Sequence, residues 1–170
     1  MPRKFIITGG PCTGKTSVIN ELGKELIIIG EGSEYKRLKK VAKNNIKFLG
    51  WQSTDDLKKY YAMAKALIFP GEEDFGIIPV EAQASGTPVI GYGKGGLLET
   101  TIKGKTGLFF NRQDYKEIIN IVENFESSST EFDPYEIRNN SMKFSKKNFE
   151  NKLSQFLEEK YQEYYKIYLK

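Results

Sequence analysis

The chain has 170 residues, a formal charge of +4, one cysteine and no histidine. That length suits one domain with a single large core. Without histidine the commonest general base and metal ligand is missing, so a zinc site or a Ser-His-Asp triad on this chain is not expected. Cys12 has no internal partner for a disulfide, which fits a reducing cytoplasm. The longest apolar runs, Leu26–Ile29 and Ala66–Phe69, are far too short to cross a bilayer, and no signal peptide is visible. The expected location is therefore cytoplasmic, with a peripheral place at the inner membrane face compatible with the mild positive charge. That charge also suits an anionic ligand or a membrane-surface acceptor without requiring either, and no nucleic-acid partner is expected.

Phe5–Thr8 reads as a buried strand, followed by a glycine-rich turn and a short helix at Thr16–Leu22. Leu26–Ile29 is a second apolar strand that ends at Gly30-Glu31-Gly32. Ser33 is placed to cap a helix to about Lys43, with Tyr35, Leu38, Val41 and Ala42 on its inner face. A third strand spans Ile46–Leu49, and Thr54 caps a helix to about Ala64. A fourth strand covers Ala66–Phe69. The next helix, at about Ile78–Ser85, takes Pro79 in its first turn and stops at Gly86. Val89–Gly91, a short helix at Leu97–Ile102 and Gly107–Phe110 follow. Short apolar strands alternating with amphipathic helices predict an α/β fold: a Rossmann-like three-layer sandwich with about six parallel strands.

The last third differs. Tyr115–Phe125 is helical, Ser127–Thr130 is a polar break, and Asp133-Pro134 opens a helix to about Lys143. A long helix then runs from Ser145 to about Leu169, with Phe149, Leu153, Phe156, Leu157, Tyr161, Tyr164 and Tyr168 on one stripe. Packing on the sheet is the plain expectation for that stripe; docking on something outside this chain is the other. The chain thus divides into a first β-α unit (1–23), a core (24–110) and a helical tail (111–170) of one domain.

Leu67–Tyr92 is the most informative stretch. A strand stops at Pro70-Gly71, an acidic loop follows, and a helix opens after Phe75-Gly76. Glu73 lies in the loop and Glu81 eight positions on, upon the helix. In an open α/β sheet, ligands bind at the carboxyl ends of the strands. Two carboxylates there suit a polyhydroxylated ligand, because they accept hydrogen bonds from sugar hydroxyls and can face a developing positive charge.

Glu73 and Glu81 bracket Phe75-Gly76, and Ser85-Gly86-Thr87-Pro88-Val89-Ile90, Gly95-Gly96 and Glu99 follow. With LIIIGEG at 26–32, IKFLG at 46–50 and GKTGLFF at 104–110, this string resembles the donor-binding half of family 4 glycosyltransferases. The resemblance is strong from about Lys24 to Phe110 and loose in the tail. It implies a retaining enzyme of the GT-B fold, with two Rossmann-like domains across a cleft. Such an enzyme transfers a hexose from a nucleoside diphosphate sugar to a glycan or lipid, as in polysaccharide biosynthesis. It implies that Glu73 lies at the donor sugar as the catalytic-site carboxylate. The backbone at Phe75, Gly76 and Ile77 would hold the sugar or diphosphate, and Glu81 the ribose hydroxyls. Trp51 would border the base, and Gly30 and Gly32 would let the chain pass close to the nucleotide. It implies no metal or other cofactor in this domain, and an acceptor-binding domain or partner subunit opposite. The plain alternatives are a solvated loop acid at Glu73, a helix-end charge at Glu81 and an edge cover at Trp51.

The first turn departs from that family. Gly9-Gly10-Pro11-Cys12-Thr13-Gly14-Lys15-Thr16 is a complete GxxxxGK[ST] pattern after a strand and before a helix, so Phe5–Ser17 resembles the start of a P-loop ATPase or kinase. Gly9, Gly14, Lys15 and Thr16 are the corresponding phosphate-binding candidates, and Mg-ATP would be the ligand in that reading. No predicted strand, however, ends in the acid that helps hold Mg²⁺ in such enzymes. Lys15 is therefore also a candidate for the donor diphosphate, in place of the basic residues that the glycosyltransferase family carries in this turn. A non-catalytic scaffold is the third reading.

Overall fold

A computed structural model describes residues 4–8, 23–128 and 131–168. Six strands, β1 (Lys4–Thr8), β2 (Leu26–Ile29), β3 (Ile46–Gly50), β4 (Ala64–Phe69), β5 (Val89–Tyr92) and β6 (Gly107–Phe110), form one sheet in the order β3-β2-β1-β4-β5-β6. Every pairing is parallel. The helices are α1 (Tyr35–Val41), α2 (Thr54–Met63), α3 (Ile77–Ala84), α4 (Leu97–Thr100), α5 (Tyr115–Ser127), α6 (Pro134–Met142) and α7 (Lys146–Tyr168). The α/β class and the six parallel strands agree with the sequence expectation.

The strands are apolar on both sides because both faces are covered. Phe5, Ile7, Leu26, Ile28, Ala66, Ile68 and Ile90 pack with Leu38 of α1 and with Ile118 and Val122 of α5. Ile6, Leu67, Phe69 and Val89 point the other way, toward Tyr61 of α2, Ala82 of α3 and Leu97 of α4. Glu126 of α5 fastens the first face at its rim by ion pairs to Lys24 and Lys65. Burial pushes the Glu126 pKa up, but the hydrogen bonds and charges of the two lysines outweigh it and leave it lowered.

Several local expectations need correction. Ser33 does not cap α1; Glu34 takes that position without a side-chain bond. In α1 only Leu38 is fully buried, and Val41 is 46% exposed. Ser53, not Thr54, caps α2. Its hydroxyl accepts from the Asp56 N–H and donates to the Asp56 carboxylate, so both partners are satisfied. The larger correction concerns α7. No residue of this 23-residue helix is buried, so its stripe does not pack on the sheet. Both sheet faces are already covered, and the stripe is left with local pairs such as Tyr164–Tyr168, 4.8 Å between ring centres.

Helix α6 is fixed by the fully buried Ile137 and by a buried polar network. The Asn140 amide donates to Gln83 Oε1 and to the Thr100 carbonyl, 2.8 Å each. Gln83 in turn donates to the Thr100 carbonyl at 3.0 Å. These bonds tie α6 to α3 and α4, the two helices that follow the acidic and glycine loops. Replacing Asn140 by alanine leaves the Gln83 carbonyl buried without its donor. We expect a loss of about 2 kcal/mol in unfolding free energy, measured by urea denaturation.

Candidate functional site

The chain runs β1 to β2 to β3 in one direction, then crosses back to β4 on the far side of β1. The loops after β1 and β4 therefore part at one point, which leaves a crevice at the carboxyl edge. Five described loops rise at this edge: 30–34 after β2, 51–53 after β3, 70–76 after β4, 93–96 after β5 and 111–114 after β6. Gly30, Gly32, Trp51, Glu73, Phe75, Gly76 and Ile77 all belong to these loops or to the first residue of α3. Gly9, Gly14, Lys15 and Thr16 lie outside the described residues. Thr8, at the end of β1, is the last described residue before them.

The loop after β4 is held from several sides. Gln113 donates to the Pro70 carbonyl at 2.8 Å, and the Gly96 N–H donates to the Glu73 carbonyl at 2.8 Å. Gly76 begins α3 in the left-handed region, with φ of 82°, which glycine enters without steric cost. The Glu73 side chain stays exposed while its backbone is fixed. Gly96 is constrained by closeness: a Cβ there would stand 2.4 Å from the Asp74 carbonyl oxygen and the Phe75 Cα.

Glu81 projects from α3. It reaches solvent, yet burial raises its pKa above the ordinary carboxylate value. The buried Tyr61 phenol is raised mainly by burial; Thr8 opposes this, and the charge of Glu81 adds to it. Thr8 Oγ1 is itself buried without a well-formed hydrogen bond, so the Thr8–Tyr61 approach is close but poorly aligned. The Glu81 charge is thus felt by the buried Tyr61 of α2.

Trp51 is 75% exposed, so it does not cover the sheet edge. The Gly30 N–H donates to the Gly50 carbonyl at 2.8 Å, which draws the first two of these loops together. Glu31, which sequence reasoning passed over, leans across this join: its carboxylate lies near the Trp51 N–H, at 3.4 Å. Its signal was its place between two glycines at a strand end. A cavity of about 290 Å³ also exists, lined by Ile6, Ile27, Leu49, Tyr60 and Met63 among others. It opens toward the amino ends of the strands, beside Lys4 and Ala64, and lacks the carboxylates and loops of the crevice. Among the described residues no cluster of acids or cysteine could hold a metal, and no helix is long and apolar enough to cross a membrane.

A parallel 3-2-1-4-5-6 sheet with loops gathered at its switch point defines the Rossmann-like class of α/β domain. Within that class the chain belongs to the family of glycosyl transferases group 1, whose family model matches residues 23–148. An uncharacterized glycosyltransferase of Methanocaldococcus jannaschii is 34% identical over 138 residues, 76% of this chain and 38% of that protein. A GDP-mannose-dependent alpha-(1-6)-phosphatidylinositol monomannoside mannosyltransferase of Mycobacterium tuberculosis is 31% identical over 113 residues, 59% of this chain and 29% of that protein. Among solved structures, the Thermosynechococcus elongatus sucrose-phosphate synthase superposes with a TM-score of 0.80 at 22% identity, over 95% of this chain and 47% of that one. Anabaena HepE, solved with UDP and glucose, superposes with a TM-score of 0.76 at 18% identity, over 92% of this chain and 48% of that one. The two superpositions show that the chain shares its Rossmann-like α/β fold with about half of each of those proteins. The chain spans about half or less of each of these proteins.

The packing of Gly96 on the acidic loop gives a direct prediction. Gly96→Ala drives a methyl group into backbone, which has no rotamer to yield. We expect about 1–3 kcal/mol of destabilisation in chemical denaturation. Gly32→Ala, where a Cβ meets nothing within 4 Å, is expected to change stability by less than about 0.5 kcal/mol.

Proposed function

We propose that this chain is the donor-binding domain of a retaining, family 4 glycosyltransferase. The observation that carries this reading is the pairing of the clamped acidic loop at Glu73 with the Glu81-bearing helix, at the switch point of the sheet. In this reading a hexose moves from a nucleoside diphosphate sugar to a hydroxyl of a glycan or lipid. The bond from the anomeric carbon to the diphosphate oxygen breaks, a bond to the acceptor oxygen forms with net retention of configuration, and the nucleoside diphosphate leaves with the acceptor's proton on its departing oxygen.

Each residue then has a defined task. Glu73 faces the sugar, where its charge stabilises the positive character that develops at the anomeric centre. The N–H groups at the start of α3, around Phe75, Gly76 and Ile77, meet the sugar or diphosphate, aided by the positive end of the helix. Glu81 accepts hydrogen bonds from the ribose hydroxyls. Trp51 borders the base, and Gly30 and Gly32 keep the floor beneath the nucleotide low. Lys15 and the glycines beside it neutralise the diphosphate, with the turn's N–H groups as further donors.

The acceptor-binding half completes the cleft, either in the same protein or as a partner subunit. The unburied aromatic stripe of α7 is the surface on which that half docks. Transfer needs both walls, because holding donor and acceptor together supplies much of the acceleration. The isolated chain therefore binds donor weakly and transfers little. A membrane-surface acceptor at the cytoplasmic face, in polysaccharide assembly, agrees with the chain's charge.

Calorimetry of the 170-residue chain with UDP, GDP and ADP tests this reading. One nucleoside diphosphate is expected to bind in the millimolar range or better; no binding of any at millimolar ligand would contradict it. Glu81→Gln is expected to weaken that binding about tenfold, by removing a charged acceptor. The wild-type affinity should fall as pH drops through the raised Glu81 pKa, and the Glu81→Gln variant should not follow that fall. Burial disfavours the Glu81 charge in the folded chain, so the variant should keep or raise the unfolding midpoint at pH 7. Mg²⁺-dependent ATP binding that Lys15→Ala abolishes, with no UDP or GDP binding, would favour the P-loop alternative instead.

A further inference from the structure

The turn between α6 and α7 reaches the donor loop. Phe144 lies in that turn, and its ring meets Phe75 edge-on, 5.6 Å between centres at 75°. Phe75 is 42% exposed and stands in the loop between Glu73 and Gly76. The loop's other ties described above are backbone bonds and Gln113 at its start, so Phe144 is its side-chain contact at the end nearest α3.

Phe144 is well placed to hold that loop because its own position is fixed. Its N–H donates to the Ser141 carbonyl at 3.0 Å, and the Asn148 amide donates to the Met142 carbonyl at 2.7 Å. Behind it, α6 is anchored on α3 and α4 through Asn140. Pro134, the first residue of α6, lies against Gly86 so closely that a Cβ at Gly86 would stand 3.0 Å from the proline Cβ. Helix α7 starts two residues after Phe144 and has no buried residue.

We propose that Phe144 is a positioning residue for the loop at residues 72–76. The functional consequence rests on the reading of this loop as the donor-contacting one. Anchored through α6, the Phe144 ring keeps the Glu73 backbone and the start of α3 in place.

Hydrogen exchange on the intact chain tests this, with the wild type, Phe144→Ala, Phe144→Leu and Phe144→Tyr. Phe132→Ala serves as control, since it removes a comparable ring contact, Phe125–Phe132 at 5.4 Å, away from the loop. Phe144→Ala is expected to speed exchange of the amides at 72–78 about fivefold, the worth of one such aromatic contact. The amides of β6 should be unchanged, and Phe144→Tyr should behave like the wild type. If Phe144→Ala loosens the whole fold, Phe144→Leu, which keeps the bulk without the ring edge, decides. Unchanged exchange at 72–78, or an equal effect from Phe132→Ala, overturns the proposal. Titration with UDP-glucose and GDP-mannose separates the two readings. If neither binds the wild type while Phe144→Ala still loosens the loop, Phe144 keeps its positioning role and the donor assignment fails. If one binds, Phe144→Ala is expected to weaken it several-fold and to spare the parent nucleoside monophosphate.

Discussion

The structure depends on β1 pairing in parallel with β2 on one side and β4 on the other. That arrangement forces the chain to reverse direction after β3 and opens the crevice at the carboxyl edge. It buries β1 almost completely: Phe5, Ile6 and Ile7 are each 1% exposed. A strand so placed must be apolar on both faces, and its last residue, Thr8, delivers the chain to the middle of the crevice. The glycine pattern from Gly9 to Thr16 begins at that point, so its phosphate-binding candidates follow directly from the central strand.

The acidic loop is the second constraint. It is clamped at its start by Gln113, along its backbone by Gly96 and at its end by Phe144. Side chains of Glu73 and Glu81 remain accessible because the clamps act on other atoms. Such a division, with rigid backbone and free carboxylates, is what a preformed ligand site needs. Partial burial of Glu81 raises the cost of its charge, and a hydroxyl-bearing ligand would lower that cost by donating to it.

The sheet was legible in the sequence because most strands are short apolar runs ended by a glycine, proline or turn, β3 with Lys47 inside it being the exception among the predicted runs. Only β4 was set two residues late, since Ala64 and Lys65 do not announce a strand by themselves. The loop with Glu73 and the helix with Glu81 were legible for the same reason, as sharp breaks in that pattern. The caps were less so: Ser33 and Ser53 look alike, but the Asp56 carboxylate three residues on accepts from the Ser53 hydroxyl and reinforces its cap, while Lys36 offers Ser33 no such acceptor. The ties that position the site were not legible. Asn140 meets Gln83 across 57 residues, and Gln113 meets Pro70 across 43. Phe144 meets Phe75 at a comparable remove. No local spacing encodes such contacts. The stripe on α7 was visible as a stripe, but nothing in its periodicity told what it faces.

The central claim is that nucleoside diphosphate binds at the carboxyl edge across the loops after β2, β3 and β4. Amide chemical-shift mapping of the labelled chain during a UDP or GDP titration tests it most directly. The account predicts shifts concentrated at residues 30–32, 50–51 and 73–81, with the amides at 9–16 moving as the diphosphate is reached. Shifts confined to 9–16, or clustered at the opposite end around Lys4, Lys47 and Met63, would contradict it.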